Sequence, residues 1–206
     1  MFVIRILKEI VEWTKTLIFV FSITILINVF IFEPYTVSGS SMEPTFQGAD
    51  IFSANDVLKA DRVFLFKLPH ILGVEAKHGD IVIVDSRVER IRTLKDEFLD
   101  NFLVSLIRGH RSEDFWIKRV IGKEGDVLEY IDGKVYRNGE ELNEPYINEE
   151  MEEPFTKVVV PENHVYVMGD NRNLSKDSRA IGAIPVENIR GSVVVRYYPF
   201  EKIRTF

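Results

Sequence analysis

A long apolar stretch near the N-terminus constrains this chain more than any other feature. Trp13 to Phe32 is nearly all apolar, interrupted only by Lys15 near its start and by Thr, Ser and one Asn. As a helix rising 1.5 Å per residue it would be about 30 Å long, the thickness of a bilayer core. A cleaved signal peptide would carry a shorter apolar region followed by a small-x-small site. Here Ile31-Phe32-Glu33-Pro34 follows instead. A buried core helix is the bland alternative. Arg5, Lys8 and Lys15 flank the span, while Glu9 and Glu12 count little toward orientation. The expectation is a membrane-spanning helix with a cytoplasmic N-terminus over residues 1–33, and an extracytoplasmic unit over 34–206. Trp13 suits an interfacial anchor. Pro34 should end the helix, because proline disfavours helix at the residue before it.

The remainder has enough apolar residues for a folded core. The 206-residue chain is 46% hydrophobic and carries a net charge of −6. Without a strongly basic domain, no nucleic-acid partner is expected. The absence of cysteine removes disulfides, thiolate zinc sites and a cysteine nucleophile together. His70, His78, His110 and His164 show no metal-ligand spacing, so neither metal nor cofactor is expected.

Short β-like runs follow Pro34. Asp80–Val84 and Trp116–Ile121 read as strands, and Asp132-Gly133 between alternating runs over Val127–Arg137 reads as a hairpin. Asn138-Gly139 marks the next turn, and Val158–Val160, Val165–Met168 and Ser192–Tyr197 complete the set. The fold class expected is mainly β, a partly closed sheet architecture, with a smaller β subdomain over 123–165. One stretch differs. From Arg87 to Ile107, Val88, Ile91, Leu94, Phe98, Phe102 and Leu106 recur at steps of three or four, with Gly109 just beyond. That predicts an amphipathic helical insertion over 87–109. It would either pack on the β unit or lie on the outer membrane surface.

Three segments could carry chemistry. In Ser38-Gly39-Ser40-Ser41-Met42-Glu43-Pro44-Thr45, Gly39 permits a tight backbone that could present a serine hydroxyl and an N–H to a carbonyl. Read plainly, it is a solvated turn. In Trp116-Ile117-Lys118-Arg119-Val120-Ile121, strand alternation puts Lys118 on one face with Trp116 and Val120. A buried ammonium there would lose its proton more readily and become a base, whereas a half-exposed lysine would merely pack its stem. Met168 to Arg179 is a polar loop rich in Gly, Asn, Ser and alternating charges. It would be either an ordinary turn with surface ion pairs or a wall of groups orienting an amine. Spacing alone does not join Lys118 to Ser41.

In this order, after one span, the segments resemble type I signal peptidases. The resemblance runs from Trp13 to about Pro185. Ser41-Met42-x-Pro44-Thr45 is similar to the nucleophile motif of that family, and Gly79-Asp80-Ile81-Val82 to its central strand motif. Lys118-Arg119-Val120-Ile121-Gly122 with Gly125-Asp126 is similar to the lysine motif. Gly169-Asp170-Asn171-Arg172 with Ser175, Asp177, Ser178 and Arg179 is similar to the C-terminal motif. The resemblance implies a serine endopeptidase with a Ser–Lys dyad that removes signal peptides from exported preproteins. Ser41 would be the nucleophile and Lys118 the general base. Ser175 would hydrogen-bond the lysine amine, and the Ser41 N–H would enter an oxyanion hole. Some members add a serine hydroxyl at the position of Gly39, with Ser40 as a substitute here. Asp170, Arg119, Asp177 and Arg179 match structuring positions. Val37, Met42 and Ile117 match positions near shallow pockets for the small residues of Ala-x-Ala cleavage sites. Preprotein signal peptides and the lipid bilayer are the partners implied.

Three other readings compete. A self-cleaving repressor uses a similar dyad but is soluble, which the Trp13–Phe32 span opposes. A processing peptidase dedicated to one secretion or pilus system would share the same dyad. A catalytically silent membrane-anchored β module is opposed by the presence of both Ser41 and Lys118.

Overall fold

The computed structural model describes residues 2–49, 58–100 and 114–206. The N-terminal helix α1 spans Phe2–Phe30. Its Ile4–Phe30 stretch is long and apolar enough to cross a membrane, and none of its apolar window is buried by the rest of the chain. The polar interruptions close on the helix itself. Thr14, Thr16, Ser22 and Thr24 each donate a hydroxyl to the carbonyl four residues earlier, and Asn28 donates its amide to the Thr24 carbonyl. Such back-bonding removes the cost of carrying hydroxyls on an apolar surface. The helix ends at Phe30, and Pro34 falls inside strand β1, Phe32–Thr36. Among the described residues that strand pairs only with β2, Arg62–Phe66, so the missing proline N–H removes no ladder bond from the sheet interior.

The rest of the chain is mainly β. Eight strands form one sheet in the order β1-β2-β11-β3-β4-β9-β10, with β12 on β11. Here β3 is Ile81–Asp85, β4 Phe115–Lys123, β9 His164–Met168, β10 Ile184–Pro185, β11 Ile189–Tyr198 and β12 Arg204–Thr205. The central run β11-β3-β4-β9 is antiparallel throughout. Between β4 and β9 the chain makes a second sheet, ordered β7-β6-β5-β8, from Val127–Ile131 (β5), Lys134–Arg137 (β6), Glu140–Glu141 (β7) and Val158–Val159 (β8). Both of its hairpins turn through the dipeptides read from sequence. Asp132 and Gly133 have φ of 47° and 85°, and Asn138 and Gly139 have 57° and 85°, the paired positive values that match strand twist in a two-residue loop.

The alternation of β4 sorts its side chains between two cores. Ile117 joins Val37, Met42, Phe46, Val63, Leu65, Ile81, Ile83 and Val193. Trp116 and Val120 join Val82, Val84, Val165, Val167, Ile184 and Ile189 on the other side. Lys118 pairs across the ladder with Val82 and is only 3% exposed.

The expected helix over 87–109 is corrected in its described part. Arg87 to Thr93 is not helical; the helix α3 occupies Leu94–Leu99, after a four-residue helix α2 at Leu68–Ile71. Local hydrogen bonding explains the difference. Asp85 accepts from the Arg87 N–H and guanidinium, the Arg90 N–H closes a turn on the Arg87 carbonyl, and the Asn188 side chain accepts from the Arg92 N–H, which holds the chain out of helix. A capping box between Thr93 and Asp96 then starts the helix at Leu94. The remainder of the expected helix lies in 101–113, outside the described residues. Among the described apolar residues of the expected stripe, Ile91, Leu94 and Phe98 are exposed and only Val88 packs against a core.

Candidate active site

The Ser41 loop is pinned on both sides by apolar side chains. Val37 before it, and Met42 and Phe46 after it, are fully buried in one core. Gly39 sits between Val37 and Ser41 at φ +72°, a left-handed backbone that side chains rarely adopt. Its N–H donates to the Ala49 carbonyl, and a parallel bridge joins Ser38 to Ala49. The hydroxyl of Thr45 donates to Asp170 at 2.5 Å, and the Asn171 N–H donates to the Ser41 carbonyl at 3.1 Å. The loop following β9 is thereby laced to the Ser41 loop at two points.

Strand β4 brings Lys118 to the same place. Its Nζ donates to Ser41 Oγ at 2.7 Å. Burial pushes the Lys118 ammonium down to about 8, against the carboxylates of Asp177 and Asp170, which favour its charged form. The Trp116 ring lies 5.8 Å from Nζ, on the face predicted by alternation. At pH 7 about a tenth of such lysines carry a free lone pair. The pair therefore has the two things acyl transfer needs, a hydroxyl and an adjacent base that is neutral part of the time.

The charged residues around them are satisfied by one another. Arg119 holds Asp170 through two hydrogen bonds of 2.8 and 2.6 Å. Asp177 accepts from Arg179 at 2.9 Å twice and from the Gly169 N–H at 3.0 Å. Burial alone would raise the Asp177 carboxyl; the Arg179 bonds and charge outweigh it and hold the carboxyl below its ordinary range. Gly169 is required by close approach. A Cβ there would lie 2.2 Å from Ser175 Oγ and 2.4 Å from the Ser41 carbonyl oxygen.

The structure thus brings Ser41, Lys118, Asp170, Asp177, Arg179 and Gly39 into one neighbourhood. Ser175 also enters it, with its Oγ buried beside Gly169 and the Asp177 carboxylate, but no hydrogen bond joins it to the Lys118 amine. The Ser41 N–H donates to no acceptor among the described residues. Gly39 adds no side-chain donor, and Ser40 makes no side-chain hydrogen bond among the described residues. Val37, Met42 and Ile117 do meet, as buried members of a single core rather than as open surface.

Sequence reasoning passed over a clamp from the second sheet. Glu144 accepts twice from Arg172, at 2.8 and 2.5 Å, and Arg172 Nε donates to the Gly169 carbonyl. Tyr146 donates its hydroxyl to Glu144, and its ring lies 3.9 Å from the Arg119 guanidinium. These contacts grip both the Asp170 loop and the arginine that holds Asp170. Nothing in the spacing of Glu144-Pro145-Tyr146 announces this, because it is an ordinary turn composition and the partners are distant in sequence.

Comparison with known proteins follows the same lines. A family model described as signal peptidase, peptidase S26, matches residues 10–198. Signal peptidase I of Bacillus licheniformis is 33% identical over 204 residues, covering 94% of this chain and 91% of that protein. Signal peptidase I T of Bacillus subtilis is 31% identical over 204 residues, covering 94% and 88%. A crystal structure of a signal peptidase I from Enterococcus faecalis superposes with a TM-score of 0.39, at 25% identity over 57% of this chain and 96% of that one.

Proposed function

The chain belongs to the signal peptidase family, peptidase S26, and is a signal peptidase acting on preproteins; from that premise we propose that Ser41 and Lys118 are its catalytic dyad. The contact of 2.7 Å between Lys118 Nζ and Ser41 Oγ carries the reading. In the neutral state of Lys118 the direction of this bond reverses: the hydroxyl donates to the amine. Ser41 Oγ then attacks the carbonyl carbon of the scissile peptide bond while Nζ takes its proton. The Ser41 N–H is the donor available to the oxyanion that forms. Lys118 returns the proton to the leaving amine, which frees the mature N-terminus and leaves an acyl-enzyme on Ser41. Water then attacks that ester, with Lys118 again as base.

Asp170, Asp177, Arg119 and Arg179 fix the site without reacting, and Ser175 is assigned the role of steadying the Lys118 amine during the reaction. Val37, Met42 and Ile117, buried in the core under the Ser41 loop, support from beneath the surface that takes the small residues of an Ala-x-Ala sequence. The helix α1 anchors the enzyme in the bilayer, with its basic N-terminal flank in the cytoplasm and residues 34–206 outside. The 123–165 stretch acts as a smaller β subdomain whose Glu144 and Tyr146 brace the site.

Incubating purified full-length enzyme with a labelled preprotein and mapping the cut tests the dyad. Ser41→Ala and Lys118→Ala should each abolish cleavage while the far-ultraviolet circular dichroism stays unchanged. Substantial residual cleavage by either folded variant would remove it from the dyad.

A further inference from the structure

The helix α3 is amphipathic in the wrong sense for a soluble protein. Its charged residues Asp96 and Glu97 are buried, as is Arg92 just before it. Its apolar residues Leu94 and Phe98 are 62% and 47% exposed, Leu99 is half-buried, and Ile91, three residues before the helix, is 60% exposed. A surface helix in water buries its apolar stripe, so this inversion needs an apolar medium outside the protein.

The neighbours of α3 indicate which medium. It contacts α1, in which Val29 is the one fully buried residue among those described. Buried charges then lock the two together. Lys67 bridges Glu33, three residues past the end of α1, at 3.2 Å, and Glu97 of α3 at 2.6 Å. Arg190 reaches the same Glu33 at 2.7 Å, and Arg92 pairs with Glu97 at 2.9 Å and Asp85 at 2.9 Å. The opposite charges are paired, so the polar face of α3 is occupied inside the protein. Its apolar face is held beside the point where α1, apolar on all sides, emerges.

We propose that Ile91, Leu94 and Phe98 lie in the outer leaflet of the membrane that α1 crosses, making α3 a second, interfacial contact with lipid. This rests on the reading of α1 as a membrane anchor. The exposed Lys95 stands between Leu94 and the buried Asp96, where its ammonium can reach headgroup phosphates while its stem stays among acyl chains. The contact fixes the height and tilt of the β unit over the bilayer, so the Ser41–Lys118 pair meets a substrate that is itself embedded in the membrane.

The chain contains no cysteine, so single-cysteine labelling is direct. Leu94→Cys and Phe98→Cys of the full-length enzyme, each carrying an environment-sensitive nitrobenzoxadiazole label, would be reconstituted in vesicles of phosphatidylcholine and phosphatidylglycerol. Phe21→Cys serves as the anchor reference and Glu140→Cys as the water reference. Labels at 94 and 98 should be quenched by shallow lipid-borne nitroxides, and should be several-fold less sensitive than the Glu140 position to iodide on both sides. Iodide quenching at 94 and 98 with lipid quenching only at 21 would overturn the proposal and leave the anchor intact. Protection at 94 and 98 from both quenchers would overturn it in favour of a protein cover, such as the 101–113 segment or another copy of the chain. Absence of lipid quenching at 21 would remove the anchor reading and the proposal with it.

Discussion

Lys118 Nζ and Ser41 Oγ stand 2.7 Å apart although 77 positions separate them in the chain. Strand β4 carries the lysine and a core-pinned loop carries the serine. The contact is a meeting of two separately anchored elements, and its geometry depends on both cores.

The first prediction concerns rate against pH. Burial lowers the Lys118 ammonium to about 8. With the neutral amine as the proposed base, kcat/KM on a preprotein should rise tenfold per pH unit below that value and level off above it. A profile flat from pH 6 to 9 would remove Lys118 as the titrating base.

The second concerns stability and runs opposite to activity. In the unfolded chain Lys118 keeps its proton up to about 10.5, whereas in the fold it releases it near 8. The fold therefore gains stability as pH rises between these values, and below about 8 it carries the cost of a buried ammonium. Lys118→Met should be inactive yet more stable at pH 7, by roughly 3 kcal/mol at most. The gain should shrink as pH climbs toward 10. Denaturant unfolding at pH 7 and pH 10 checks this; a variant less stable than the parent at pH 7 would contradict it.

Gly169→Ala addresses the lacing of the two loops. The added carbon would meet Ser175 Oγ at 2.2 Å and the Ser41 carbonyl oxygen at 2.4 Å. The loops must separate, which displaces the nucleophile. A rate loss of roughly a hundredfold is expected, because a shift of about 1 Å suffices for that. Steady-state cleavage kinetics, with thermal unfolding as the control, would measure it.

Glu33→Gln tests the buried ion cluster. The substitution leaves Lys67 and Arg190 facing a neutral group in a buried setting. Breaking such a pair from one side costs about 3–5 kcal/mol. Thermal unfolding of the detergent-solubilised enzyme should show a marked fall in Tm, and an unchanged Tm would mean that the cluster is solvated.

Local signals made part of this architecture legible. The span announced itself through length and composition, since a bilayer asks only for about twenty apolar residues. The Asp132-Gly133 and Asn138-Gly139 turns announced themselves because few dipeptides adopt paired positive φ. Strands β1 and β2 escaped notice. The first holds Glu33 and Pro34, and the second is a short, nearly continuous apolar run after Arg62, which periodicity cannot distinguish from a buried helical turn. The helix expected from Arg87 begins instead at Leu94, because the Arg87 and Arg92 N–H groups donate to Asp85 and the distant Asn188, which overrides local periodicity.

By itself the sequence determined the apolar helix, the mainly β character, the alternation that puts Lys118 beside Trp116 and Val120, and the motif order shared with the signal peptidase family. These are local properties of period, turn chemistry and residue order. Only the tertiary structure decided that Lys118 is buried against Ser41, that Glu144 and Tyr146 brace the site, and that α3 turns its charges inward and its apolar face outward. Each of these depends on partners far apart in the chain. Burial, and the desolvation that shifts a lysine toward its neutral form, arises only when those partners close around it.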